Sequence, residues 1–186
     1  MKIVVWTIAS LLASLTAGSK GGFGAAPPDN SPGARFPSVK ASNLEKRDFN
    51  LPADFEGDRN LLLVAFERDQ QKDVDTWLRE MKQFEGLAPG FYYYELPTIQ
   101  RPSALTRWFI DTGMRRGIPE RKARERTITL YLDRKPFCDA LLITNQKRIY
   151  VLLVDREGRV LWRSEGLFDE TKGVSLRNSL GELRHR

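Results

Sequence analysis

Hydrophobic and polar positions alternate in blocks that switch period along the chain. Leu61 to Phe66 is an unbroken apolar run, the pattern of a strand buried on both faces. A charged loop follows. Then Val74, Trp77, Leu78 and Met81 recur at helical spacing, predicting an amphipathic helix over 73–84 that ends at Gly86 and Pro89-Gly90. Phe91 to Leu96 is rich in β-formers and predicts a second strand. Its tyrosine run suits a strand buried on both faces better than a ligand platform. Ser103 is placed to cap a helix whose face is marked by Leu105, Trp108, Phe109 and Thr112, with Gly117 as its stop. Thr127 to Leu132 is a third strand. Asp133 turns the chain, and Pro136 opens a short helix. Ile149 to Val154 and Arg159 to Trp162 form a hairpin over Asp155-Arg156-Glu157-Gly158, with glycine where positive φ is needed. Leu176, Leu180 and Leu183 outline a last helix. The order is βαβ, a helical excursion, β-α-ββ and α. It predicts an α/β fold of thioredoxin topology: a central mixed sheet of four to five strands flanked by helices, with a helical basic insertion.

Composition agrees with one soluble domain. The 186 residues are 41% hydrophobic and 29% charged, with net charge +6 and an isoelectric point near 9.6. The excess of cations calls for an acidic partner. The chain has one cysteine, Cys138, and one histidine, His185, which sits in a charged tail. An internal disulfide is impossible, and a Cys/His metal site lacks its ligands, so neither a metal nor another cofactor is expected.

The first twenty residues read as a secretory leader. Lys2 precedes an apolar stretch, Ile3 to Ala17, and Ala17-Gly18-Ser19 supplies the small residues of a cleavage site. Residues 1–19 are thus expected to be a signal peptide, 20–38 a Gly/Pro-rich tether and 39–186 the folded domain. The protein is expected to be exported, periplasmic or extracellular, and membrane-associated if the leader is retained.

The second half resembles thioredoxin-like proteins. "ITLYLDRKPFCDALLI" followed by "IYVLLVDREGRVLW" has that superfamily's strand, D-x-x-P, short helix and hairpin. The resemblance implies a C-x-x-C pair near Gln70 to Asp73 and a cis-proline near Tyr150, and neither is present. A narrower resemblance is carried by "WFIDTGMRRGIPERKARERTITLYL" and "NQKRIYVLLVDREGRVLWRSEG". These are similar to the mitochondrial ATP-synthase assembly factor family called ATPase complex subunit ten. That resemblance spans about 60–166 and implies a thioredoxin-like domain without redox chemistry that helps a membrane subunit assemble. The export-type leader and the short tether depart from that family.

Three groups of residues are candidates for chemistry. Cys138 lies near a helix start beside Arg134 and Lys135, which favours a thiolate. It is the candidate reactive thiol of a single-cysteine oxidoreductase or peroxiredoxin-like protein. Phe137, Leu141 and Leu142 around it favour a buried structural cysteine instead. Asp69, Asp73 and Asp75 fit helix capping better than acid–base work. The basic excursion holds Arg101, Arg107, Arg115, Arg116, Arg121, Lys122, Arg124 and Arg126 against Asp111, Glu120 and Glu125, which gives +5. With Trp108 it suits an anionic membrane or an acidic protein surface, including a membrane-protein subunit, rather than nucleic acid, which an exported protein rarely meets. The alternative is a solvated arginine-rich helix whose aromatics dock on the sheet. The leading expectation is a non-catalytic binding or assembly factor.

Overall fold

The computed structural model describes residues 33–182. The leader and most of the tether lie outside them, as do Leu183 and His185. The elements are β1 (Val39–Asn43), β2 (Asp48–Leu51), β3 (Arg59–Ala65), α1 (Gln71–Leu78), β4 (Phe91–Gln100), α2 (Ala104–Gly117), α3 (Arg121–Arg126), β5 (Ile128–Leu132), α4 (Arg134–Ala140), β6 (Tyr150–Val154), β7 (Val160–Glu165) and α5 (Glu170–Glu182).

One mixed sheet runs β2-β1-β5-β4-β3-β6-β7. It has seven strands, not the four to five expected. The missed pair is β1 and β2, which join antiparallel and add to the β5 edge through Ser42 and Asn43. Their sequences, VKASN and DFNL, are short and only half-buried, so they carry no strong apolar signal. β3, β4 and β5 are parallel; β6 runs antiparallel to β3, and β7, antiparallel to β6, points the same way as the three parallel strands, as the βαβ-then-hairpin order requires.

The continuous apolar strands lie at the centre. Leu61 to Val64 and Val151 to Val154 have no exposed surface. Burying such side chains contributes about 2 kcal/mol each. On one face Leu62, Val64, Leu96, Leu130 and Leu152 pack under α4. Phe36 joins them from the chain ahead of β1, edge-on to Phe55 and Phe137 at 5.5 and 5.6 Å. The fold therefore starts before Val39. On the other face Leu61, Leu63, Val151 and Leu153 pack under α1 and α5. There Trp77 and Trp162 meet edge-on at 6.2 Å, and each indole N–H finds an acceptor, Gly166 O at 2.9 Å and Ser175 Oγ at 3.0 Å.

Three predicted boundaries moved. The first helix starts at Gln71 and stops at Leu78, and residues 81–83 form a separate 3-10 turn. β4 runs on to Gln100. α2 ends at Gly117 as expected, but that glycine has no left-handed φ; Ile118 turns extended before Pro119, which disfavours helix in the preceding residue. The hairpin glycine is as predicted: Gly158 has φ +78, and a Cβ there would sit 2.9 Å from Pro52 Cγ.

Candidate functional site

In an open α/β sheet, chemistry collects where parallel strands end and helices begin. Here that place is the β3–α1 junction, residues 66–71. Its central side chain is Gln70, which is buried. The Gln70 carbonyl oxygen accepts from the backbone N–H groups of Phe66 (2.8 Å) and Glu67 (3.2 Å), and Nε2 donates to Gln146 O at 2.8 Å. Every polar atom of the amide is thus used to hold the loop shut.

Arg134 closes the same end of the sheet from α4. It donates to Thr98 O from Nε at 3.0 Å, to Phe66 O, and to Glu67 Oε1 at 3.1 Å, and its guanidinium lies 5.7 Å from the centre of the Phe66 ring. Arg134 therefore ties the ends of β3 and β4 together. Gln70 stood out in the sequence only as a loop residue, and Arg134 only as a cation beside Cys138. Their roles depend on strands brought together from distant segments.

The carboxylates of this junction do not converge. Asp69 is exposed in the 3-10 turn before α1, Asp73 lies in the first turn of α1, and Asp75 accepts from Gln71 Nε2 at 3.0 Å. Among the described residues there is no cluster of three or more His, Cys, Asp or Glu side chains able to hold a metal. The nearby acid that differs is Glu95, buried in β4 and missed by the sequence reading. Burial lifts its pKa to about 7, against the hydrogen bond from Gln71 and with help from the charge of Asp75.

Cys138 is 4% exposed on α4, between Phe137 and Leu141. It lines a cavity of about 420 Å³ with Gln100, Arg134, Lys135 and Gln146. Burial raises the thiol pKa, and the Arg134 charge only partly opposes this. Lys135, the other neighbouring cation, is paired with Asp139 at 2.7 Å. The two cations thus do not produce the thiolate their spacing suggested. Leu142 does not cover the thiol: it is 52% exposed with φ +54, just past the helix.

The basic excursion departs most from expectation. Ser103 caps α2 as predicted, its Oγ accepting from Thr106 N at 3.3 Å. The Leu105-Trp108-Phe109 stripe, however, does not dock on the sheet. These side chains are 67%, 59% and 60% exposed, and no residue of α2 is buried. The helix is held by polar groups instead. Tyr131 Oη donates to Asp111 at 2.7 Å, the Arg107 guanidinium covers the Tyr131 ring at 4.5 Å, and Arg115 donates to Leu44 O at 3.1 Å.

Most of the cations are spent in this way. Arg115 and Arg124 share Glu45, from the β1–β2 turn, and Arg124 also donates to Ile118 O and Pro119 O. The Arg124 hydrogen bond holds the Glu45 carboxyl below its usual pKa. Arg121 pairs with Glu125 at 2.8 Å. Arg126 stacks on Tyr93 at 4.0 Å and reaches Glu85 at 3.9 Å. Arg101, Arg116 and Lys122 are exposed and have no ion pair among the described residues. The nine predicted contact residues thus divide into five arginines that build the excursion, three free cations and Trp108.

No helix among the described residues is long and apolar enough to cross a membrane. No family model matches the chain, and no curated protein matches it. Solved structures do. The chain is similar to the thioredoxin domain of a thiol-disulfide oxidoreductase from Bacteroides vulgatus, at 17% identity over 80% of this chain and 96% of that one, with TM-score 0.53. It is similar to a putative electron transport protein from Aquifex aeolicus, at 12% identity over 84% and 100%, TM-score 0.58. It is also similar to an exposed lipoprotein thioredoxin from Streptococcus pneumoniae, at 8% identity over 77% and 100%, TM-score 0.52. The sheet order, the crossovers and these likenesses agree on one conclusion: the chain has a thioredoxin-like fold.

Proposed function

We propose that this protein is a non-catalytic thioredoxin-like binding or assembly factor, exported and working near a membrane, with a membrane-complex subunit as the kind of client its sequence resemblance suggests. The carrying observation is the β3–α1 junction. The position that the resemblance gives to a C-x-x-C pair holds Gln70 to Asp73, and the Gln70 side chain is fully engaged in closing the loop. A redox centre needs an accessible thiolate at that place. This chain puts its cysteine on another element, buried and with a raised pKa. The apolar leader supports export, and the outward aromatic stripe of α2 supports a role in binding.

The rival is a thiol oxidoreductase or peroxiredoxin-like protein acting through Cys138 alone, favoured by the cavity that Cys138 lines. Two measurements separate the readings. Dithiothreitol-driven insulin reduction should stay at background. Wild type and Cys138→Ser, used as baits on solubilised membranes, should capture the same partner. Catalysed reduction, or a partner lost with the thiol alone while the fold is intact, would favour the rival.

A further inference from the structure

A surface helix normally turns its apolar stripe inward. α2 has a stripe of Leu105, Trp108 and Phe109 at i, i+3 and i+4, extended by Arg116 seven residues beyond Phe109, and the three apolar members of it are the most exposed large hydrophobic side chains of the described residues. Trp108 and Phe109 touch edge-on at 5.0 Å, so they form a joined ridge rather than two separate side chains. The fold does not need this ridge. The helix is fixed along the flank beside Trp108 by Arg107, Asp111 and Arg115.

The charges around the ridge are equally selective. Five of the arginines are held by Glu45, Glu85, Glu125, Tyr93, Tyr131 or backbone carbonyls. Arg101 leads into the helix, Arg116 lies on the stripe itself, and Lys122 sits in the first turn of α3; all three are exposed and free of ion pairs among the described residues. An outward apolar ridge in a segment with three exposed cations, unpaired among the described residues, matches a surface that is apolar inside and anionic at its face. An anionic bilayer has that structure: headgroup phosphates meet the cations while aromatic and aliphatic side chains enter the acyl boundary.

We infer that α2 lies on an anionic bilayer surface, with Leu105, Trp108 and Phe109 in the headgroup–acyl boundary and Arg101, Arg116 and Lys122 against lipid phosphates. This deepens the binding-factor reading and rests on it.

The test uses the full chain with vesicles of phosphatidylglycerol and phosphatidylcholine, and with phosphatidylcholine alone as the control. Brominated phospholipids quench only indoles that enter the bilayer. Trp77 and Trp162 are buried in the core. The leader's Trp6 is common to wild type and Trp108→Phe, so the difference between them reports Trp108. The expected result is quenching on anionic vesicles that Trp108→Phe lacks. Partitioning of the Arg101→Gln/Arg116→Gln/Lys122→Gln variant should fall roughly 100-fold at low salt, about fivefold per cation. The loss should shrink as salt rises. Leu105→Ser/Phe109→Ser should weaken binding at any salt, with near-ultraviolet circular dichroism unchanged. Vesicle binding without Trp108-specific quenching would assign attachment to the leader and overturn the inference. So would binding to soluble polyglutamate but not to vesicles, or a Trp108-dependent dimer in sedimentation. None of these outcomes touches the absence of redox activity, which the insulin assay reads separately.

Discussion

Gln71, in the first turn of α1, donates from Nε2 to the Glu95 carboxyl in the middle of β4 at 3.2 Å. Glu95 stands level with Leu63 of β3 and bridges to Thr127, so the acid sits inside the sheet's span. Its pKa is raised from 4.5 to about 7, first by burial. The unfolded chain releases this proton near pH 4.5, and the folded chain keeps it until about pH 7. Glu95 therefore contributes stability that is full below pH 4.5 and is lost as pH rises through about 7. The full loss is about 3 kcal/mol. Urea unfolding from pH 4.5 to 8 should show the decline in wild type, and Glu95→Gln should be flatter by that amount. Parallel pH profiles would show that the buried carboxyl does not titrate as described.

The Tyr131–Asp111 bond holds α2 to the sheet without any buried apolar contact. Burial and the Asp111 carboxylate both raise the Tyr131 pKa, so the phenol stays a donor throughout the working pH range. Tyr131→Phe should cost about 1–2 kcal/mol, because Asp111 loses its donor in a partly buried place. Trypsin should then cut between Arg101 and Arg126 faster than elsewhere, since only the arginine contacts remain to hold the excursion. Unchanged cleavage would mean that the arginine contacts suffice.

Gln70→Ala should destabilise the domain by about 2–4 kcal/mol, because it leaves the N–H groups of Phe66 and Glu67 and the carbonyl of Gln146 unpaired. Gln70→Glu keeps an acceptor for the two N–H groups and loses only the donor, so denaturant midpoints should rank wild type, then Glu, then Ala. Equal midpoints for Ala and wild type would show that water replaces the amide freely.

Iodoacetamide should modify Cys138 in the native protein at least about 100-fold more slowly than in urea, at neutral pH. The thiol is buried and its pKa is raised, and only the thiolate reacts. Native-state alkylation as fast as in the unfolded chain would revive the thiol-based reading.

The Gln70 and Trp108 positions show how far local pattern reaches. Leu61 to Phe66, the hairpin at Gly158 and the Ser103 cap were all legible, because a strand's burial, a turn's φ and a cap's hydrogen bond depend on neighbours within a few residues. The Trp108 stripe was equally visible, but its direction was not. Periodicity shows that one face of a helix is apolar; it does not say whether that face meets the sheet or the outside. Here the adjacent flank had Asp111, Arg107 and Arg115 to satisfy against Tyr131 and Leu44, partners that are 20, 24 and 71 residues away in sequence.

By itself the sequence determined the order of strands and helices from β3 onward, the thioredoxin-like topology that follows from it, the single cysteine and the positive excursion. These depend on residue type and spacing, which folding does not change. Only the tertiary structure decided which charges were left over. Glu45 and Glu85 come from outside the basic segment and neutralise arginines that look free in a linear count. β1 and β2 become strands because β5 offers them an edge, not because their own pattern demands it. Cys138 lies beside cations in sequence, yet its burial raises the thiol pKa and the Arg134 charge only partly opposes this.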